Sequence, residues 1–433
     1  MATVEQLLAA LGRREEARAS ELATQLKVSR PSVTRLLLAA GDRVCRMGEG
    51  PATRYARTRK LLSLGTWLNV HRIDEAGAVH RYGVLRLLAG GRHWLESTER
   101  TPELFAGLPP FATDMSPQGF IGGTFSFRHP ELSLPQRVAD WTDDHCLIAL
   151  ALLGEDCIGD LIVGDESLDR YLAASPSSAT PDDYPALARD SGRTLSRASV
   201  GGEHPKFATY TQGRHVIVKF AGPDDGAAAS RWRDLLLAEG LALETLREAD
   251  IPAANARWLD VEDHRFLEVE RFDRIGPRGR KGLLSLGAIT DECIGPRDTW
   301  TQAASRMHEA RLISEDDARR MRWLDTFGQL TGNTDRHFGN LSFFPEGPKQ
   351  FRLAPVYDML PMMFAPVGTN LVERAFTPRP PTASTVDVWS DAARLALAYW
   401  EKLTREPALS APFREHCGHC AATLQSFMKQ QPV

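Results

Sequence analysis

No apolar run in this chain of 433 residues approaches the ~18 that a membrane helix needs, so no membrane association is expected. Cysteine is scarce: six are scattered along the whole length, which excludes a disulfide framework and points to a reducing cytoplasm. The opening stretch, MATVEQLLAALGRREEA, places acids early and interrupts its apolar run, so no secretory signal is read there. A strong excess of either charge is also missing. The net charge is −4, with 42% hydrophobic and 25% charged residues, an ordinary soluble composition. The length leaves room for about two to four domains, each with its own core.

The charge that is present lies unevenly. Residues 1–60 hold twelve Lys/Arg against six Asp/Glu, leaving forty against fifty in the remainder. A basic module on an acidic body points to nucleic-acid contact for that module alone. Val4, Leu7, Leu8 and Leu11 recur at the spacing of an amphipathic helix. Ser20 can cap a second helix over residues 21–26, and Ser29 a third, with Pro31 tolerated in its first turn. Val33, Leu36, Leu37 and Ala40 give the third helix an apolar stripe. Arg30, Ser32, Thr34 and Arg35 fall on its other faces, as a recognition helix requires. Short runs at 44–47 and 53–57 flank Gly48-Glu49-Gly50-Pro51, a hairpin of wing type bearing Arg46, Arg54 and Arg57. The module resembles a winged helix-turn-helix for duplex DNA. Arg30 and Arg35 suit groove contact, and Arg54 and Arg57 suit phosphates. A protein-docking module of the same shape is the competing reading.

Residues 61–165 alternate like strands at 67–70, 78–87 and 91–98, and carry a strong apolar run at 147–153. No chemistry is read there. Residues 165–190, with the stretch SPSSATPDD, read as a linker.

Chemistry concentrates at 331–358, TGNTDRHFGNLSFFPEGPKQFRLAPVYD. Asn333, Asp335, Arg336, His337 and Asn340 crowd one polar loop, two apolar runs make a hairpin around Pro345-Glu346-Gly347-Pro348, and Asp358 ends it. Asp335 and Asn340 have the D-x-x-x-x-N spacing of a kinase catalytic loop. In that arrangement the Asp takes the proton of the attacking hydroxyl, while the Asn and the later Asp hold Mg²⁺ against ATP phosphates. Hard oxygen ligands suit that cation. Alone, the same spacing also fits an ordinary turn. Upstream, Gly201, Gly202 and Lys206 form a G-G-x-x-x-K able to cradle phosphate, again a common turn when alone. Lys219 sits in the apolar run VIVKF, where it either faces water at an edge or pairs ATP phosphates with a helix glutamate. A helix over about 230–249 offers Glu239, Glu244 and Glu248. His416-Cys417-Gly418-His419-Cys420 is too crowded for one tetrahedral zinc site and reads as helix.

N-T-D-R-H-x-x-N followed by L-A-P-x-Y-D resembles the HipA family of bacterial serine/threonine kinases, toxins of toxin–antitoxin pairs. The likeness runs from about residue 67 to near the C-terminus. Gly154–Asp160 carries G-x-D-x-x-G, similar to the end of that family's first subdomain. The extra N-terminal module makes the chain most like the YjjJ (HipH) branch. The resemblance implies an α+β fold: a bilobal protein-kinase-like body, its C-terminal lobe mostly helical, plus the winged helix-turn-helix. The expected domains are 1–60, the DNA-binding module; 61–190, the family's N-terminal subdomain and linker; 191–275, the nucleotide-binding lobe; and 276–433, the helical lobe with the catalytic loop. It further implies Glu239 as the partner of Lys219, the backbone at Glu270 and Phe272 as the adenine contact, Asp273 at the ribose, and Asn333 and His337 as shapers of the loop. Ser199 stands where the family phosphorylates itself. Implied partners are a protein substrate, such as an aminoacyl-tRNA synthetase or another translation factor, and a separate antitoxin. A cytoplasmic, nucleoid-associated setting follows. N-T-D stands where ordinary protein kinases have H-R-D, and Y-D-M where they have D-F-G. A small-alcohol kinase and a catalytically silent DNA-binding regulator remain alternatives.

Overall fold

Thr3 starts the first helix by a reciprocal cap. Its hydroxyl accepts from Gln6 N at 3.3 Å, and the Gln6 side chain accepts from Thr3 N at 3.0 Å. This computed structural model describes residues 2–117, 119–175, 178–195, 204–223 and 226–431. They divide into two units: Met1–Asp74, Ala78–Pro117 and Pro130–Ser175 in the first, and Glu75–Gly77, Gln118–His129 and Pro176–Val433 in the second.

The first unit opens with α1 (Val4–Arg14), β1 (Glu16–Ala17), α2 (Ala19–Leu26), α3 (Arg30–Ala40), β2 (Val44–Met47) and β3 (Arg54–Arg57). Helix α2 begins before the expected cap at Ser20. The Glu21 carboxylate reaches back to Arg18 N at 2.7 Å, so Arg18 is the capping position. Ser29 caps α3 as expected, accepting from Ser32 N at 3.4 Å. The hairpin forms, and β1 adds to it in the order β1-β3-β2, a pairing that two residues could not announce by periodicity. Leu7, Leu11, Leu22 and Val33 close this core, each fully buried.

Next come β4 (Trp67–Ile73), β5 (Val79–Leu87), β6 (His93–Ser97), β7 (Glu103–Phe105) and α4 (Pro110–Met115). Then α5 (Gly119–Arg128) belongs to the second unit, and α6 (Asp143–Leu153), β8 (Leu161–Val163) and α7 (Asp165–Ala173) return to the first. The sheet runs β7-β6-β5-β4-β8, all antiparallel. Gly83 lies where a Cβ would come within 2.3 Å of the Glu96 carbonyl, so the β5–β6 pairing needs glycine there. The apolar run at 147–153 is helix, buried in α6.

The second unit continues with β9 (Ser178–Ala179) and α8 (Tyr184–Leu195). Residues 165–190 therefore contain most of two helices instead of a bare linker. Asp165 and Glu166 suit the N-terminus of α7, and Tyr184 anchors α8, fully buried with its hydroxyl donating to Glu268 at 2.8 Å. Strands β10 (Lys206–Thr211), β11 (Arg214–Ala221), β12 (Ala256–Val261) and β13 (His264–Glu270) give the sheet order β12-β13-β11-β10-β9, with α9 (Ala227–Glu248) packed on it. A short ribbon, β14 (Arg274–Ile275) and β15 (Gly279–Arg280), leads to β16 (Leu284–Ser285), α10 (Leu286–Ile289), α11 (Trp300–Glu309) and α12 (Glu315–Leu330). Ser314 caps α12, accepting from Asp317 N at 3.1 Å. The hairpin of β17 (Ser342–Gly347) and β18 (Gln350–Leu353) follows, then α13 (Val386–Arg405) and α14 (Ala411–Gln430). Trp300, Phe327, Tyr399 and Trp400 are the large buried side chains of this helical lobe. The Tyr399 hydroxyl donates to the Ala238 carbonyl at 3.0 Å, tying α13 to α9. On α14, Cys417 and Cys420 are buried, and burial pushes the Cys420 thiol up to about 12. Among the described residues, no three His, Cys, Asp or Glu side chains gather as a metal cage, and no helix is long and apolar enough to cross a membrane.

Candidate active site

Strand β11 carries Lys219 into the interior, where an unpaired ammonium would be costly. Its Nζ meets both carboxylate oxygens of Glu239 at 2.7 Å and donates to Asp358 Oδ1. Glu239 is fully buried in the middle of α9. The other two candidates on that helix go elsewhere: Glu244 and Glu248 pair with Lys402 of α13 at 2.9 and 3.0 Å. Burial works against the charge on Lys219, but the carboxylates of Asp358 and Glu239 outweigh it and push the ammonium pKa up. Burial would raise the Asp358 carboxyl, yet Lys219 and Lys206 hold it at about 2. For Glu239 burial wins over Lys219 and lifts it to about 7. Lys206 lies directly opposite Lys219 in the β10–β11 ladder.

One group at this site was not singled out from the sequence. His204 turns its ring edge onto Trp232 of α9 at 4.7 Å, and its Nε2 is buried with no hydrogen-bond partner. Burial first, then the positive charge of Lys219, holds its pKa at about 3, so the ring is neutral. No spacing signal marks this histidine. Ser199, Gly201 and Gly202 lie outside the described residues.

The loop after α12 is hung on side-chain amides. Asn333 accepts from Asp335 N at 3.0 Å and donates to the Asp358 carbonyl at 3.2 Å. Asn340 Nδ2 donates to the Asp335 carbonyl at 2.9 Å. The backbone of Asp335 is thus held at both its N–H and its C=O, while its side chain is exposed. Asp358 has φ +53°, a left-handed conformation unusual for a residue with a Cβ, and the Asn333 amide grips it at the carbonyl. His337 folds back on the loop, its Nδ1 accepting from Gly339 N at 3.0 Å and its carbonyl from Trp300 Nε1 at 3.2 Å. The donor set fits a hard cation. Asp358 is ionised, and tying Asn340 by its amide nitrogen turns its carbonyl oxygen the other way.

At the β13 end, Glu270 accepts from Asn255 Nδ2 at 3.1 Å, and Phe272 packs edge-on to Phe344 at 6.0 Å. Asp273 differs from the open ribose contact that the resemblance implies. Its carboxylate is buried and held by Arg271 at 3.1 Å and Arg274 at 2.6 Å. In the N-terminal module, Arg30, Thr34, Arg35, Arg46, Arg54 and Arg57 are exposed. Ser32 is half-buried and takes a hydrogen bond from Arg35 at 3.4 Å, and Arg54 is ion-paired with Glu16 of β1.

Comparison with known proteins then bears on this geometry. Residues 64–172 match the family described as YjjJ-like toxin, middle domain, and residues 198–424 match the HipA-like C-terminal domain. Toxin YjjJ of Escherichia coli (strain K12) is 34% identical over 410 residues, covering 92% of each chain. The chain belongs to the YjjJ-like, HipA-type toxin family. A chain in the Shewanella oneidensis MR-1 structure of the toxin–antitoxin system HipA, HipB and its operator DNA complex superimposes with a TM-score of 0.56 at 15% identity. That match covers 84% of this HipA-type chain and 97% of the other, and it establishes a shared HipA-type fold.

Proposed function

We propose that this HipA-type toxin is an ATP- and Mg²⁺-dependent protein serine/threonine kinase with a DNA-binding front end. The observation that carries the reading is Lys219 joining Glu239 and Asp358, with Asn333 tying Asp358 to Asp335. This arrangement supports reading Lys219 as the phosphate-holding lysine, Glu239 as its helix partner, Asp358 as the metal-side acid and Asp335 as the base. Asp335 accepts the proton of the acceptor hydroxyl as its oxygen attacks the γ-phosphorus, the bond to the β-phosphate breaks, and ADP departs. Lys219 and Lys206 neutralise phosphate charge. Asn340 and Asp358 would hold Mg²⁺, which supplies further neutralisation of the phosphates when bound. Gly201 and Gly202 would close over the nucleotide, with adenine at the Glu270–Phe272 backbone. Asp273, locked by two arginines, serves that segment as a brace more readily than as a ribose ligand.

The test is phosphotransfer from labelled ATP to the proteins of a bacterial lysate. Wild type labels protein bands, while Asp335→Ala loses on the order of 10²–10⁴-fold in rate with its thermal melt unchanged. Asp358→Ala loses transfer as well. Near-normal turnover in either variant overturns the site, and a labelled metabolite in place of protein bands overturns the acceptor. The same reaction, mapped by mass spectrometry, tests Ser199 as the self-phosphorylation site. An unmodified Ser199 removes that part. Duplex DNA through residues 1–60 and a separate antitoxin are the proposed partners. The Shewanella structure contains HipA with HipB and operator DNA. An aminoacyl-tRNA synthetase or another translation factor is the proposed class of substrate.

A further inference from the structure

Asp325 of α12 has no place in the reading so far, yet it is a buried carboxylate with three donors around it. Thr301 of α11 gives Oδ2 its N–H at 3.2 Å and its hydroxyl at 2.7 Å. Arg336 gives Oδ1 its Nε at 2.9 Å. The same guanidinium uses Nη1 to hold the carbonyl of Asn333. Asn333, almost fully buried, is the residue from which the Asp335 amide and the Asp358 carbonyl both hang. A continuous set of hydrogen bonds therefore runs from the α11–α12 interface to the base and to the metal-side acid.

The helix is shaped to let this happen. Gly328 lies three residues beyond Asp325, in the last turn of α12. A Cβ there would sit 2.5 Å from Arg336 Cδ. The helix thus keeps a notch through which the arginine passes on its way to Asp325. An arginine serving only solubility would need no notch.

We propose that Asp325 is a positioning residue for phosphoryl transfer, acting through Arg336 to hold the Asn333 backbone so that Asp335 and Asp358 face the reacting phosphate together. The proposal rests on the reading of Asp335 as the base. Asp325 touches neither nucleotide nor acceptor. Its charge keeps Arg336 turned inward, and the arginine keeps the loop in the one geometry where both acids converge. Loss of the charge leaves Thr301 with an acceptor and Arg336 held by the Asn333 carbonyl without its ion pair.

The experiment measures kcat and KM for ATP in the full-length protein. Asp325→Asn is expected to lower kcat on the order of 10²-fold, as small misplacements of reacting groups do, with KM for ATP within about twofold. Arg336→Ala, whose side chain reaches the surface, is expected to show the same split, and it carries the test if Asp325→Asn does not fold. In the Arg336→Ala background, adding Asp325→Asn should cost nothing more, because the two act as one unit. Wild-type kcat in Asp325→Asn overturns the proposal, as does a further full loss in the double variant, or a loss matched by a lower melting temperature with kcat per folded molecule unchanged. Asp335→Ala run alongside separates the two readings. If that variant stays active the base assignment has failed, and if it is dead while Asp325→Asn is normal only the positioning role has failed.

Discussion

Lys219 bears on folding through the carboxylates it meets, and on chemistry in the proposed kinase reading. The buried carboxylate of Glu239 and the half-buried one of Asp358 meet its ammonium, so replacing it leaves like charges facing each other, one of them cut off from water. Lys219→Met is expected to lose about 3–5 kcal/mol of stability at neutral pH, measured by urea unfolding. The sign with pH follows from the carboxylates left behind. Without the lysine their folded pKa values rise above the unfolded ones. The variant should then gain stability relative to wild type as pH falls, and lose it again as pH rises. A deficit that stays constant across pH would contradict this. The sequence marked Lys219, Asp335, Asn340 and Asp358 because their meaning lies in spacing along a loop or in a charge within an apolar strand. Spacing alone could not choose among Glu239, Glu244 and Glu248, which lie on one helix, and only the family resemblance pointed to Glu239. Tertiary packing chooses, since Lys402 takes the latter two. Asp325 and His204 carry no local signal at all, and only the fold shows what stands beside them.

At the scale of elements, β6 and the segments around it are closed by a histidine that must stay neutral. His93 is fully buried, its Nδ1 donating to the Gly107 carbonyl at 2.7 Å and its Nε2 receiving Arg59 at 2.9 Å. A proton on Nε2 would replace an acceptor by a donor facing a guanidinium. Burial is the main cause of its lowered pKa, with Arg59 adding to it. The folded value lies below the unfolded one, so this contribution is complete above about 6.5 and is lost as pH falls toward the folded value. The first unit is expected to melt at progressively lower temperature below pH 6.5, and His93→Gln should flatten that slope. Equal slopes in the two proteins would refute the assignment. Among the long elements, α1, α3 and β5 were legible by a period or a cap, and α9 by its run of Leu and Ala, since it has no side-chain cap and is buried nearly all round its middle. The strand β1 was not, because two residues have no period and only its partner β3 defines it. The helices α7 and α8 hid behind serine, proline and aspartate, residues that mark helix starts as readily as linkers.

For the whole molecule, the excess of basic residues in 1–60 makes a quantitative statement about DNA. If the exposed arginines of α3 and the hairpin neutralise phosphates, affinity for duplex falls steeply with salt, and each arginine changed to alanine lowers the log–log slope by about one. Gel shifts with genomic duplex at low and moderate salt read this directly. The absence of any shift at low salt would reassign the module to protein docking. Deleting 1–60 should abolish the shift and preserve nucleotide binding by the second unit. That module is nevertheless not a detachable bead. Cys45, Met47 and Ala56 of the hairpin bury themselves with Leu88, so its removal uncovers apolar surface in what remains of the first unit.

The path of the chain has a consequence for anyone who would cut it. The second unit takes Gly119–Arg128 from far upstream of its main body and packs that helix on α8 and β10, the strand that bears Lys206. The chain is stitched through, leaving one unit and returning to it. No single break point in the gene releases the kinase-like body whole. A fragment starting after residue 175 would lack α5 and with it a wall beside β10, whereas one starting after residue 60 retains it. For this protein the borders at which a gene can be trimmed and the borders at which the structure divides are different lines.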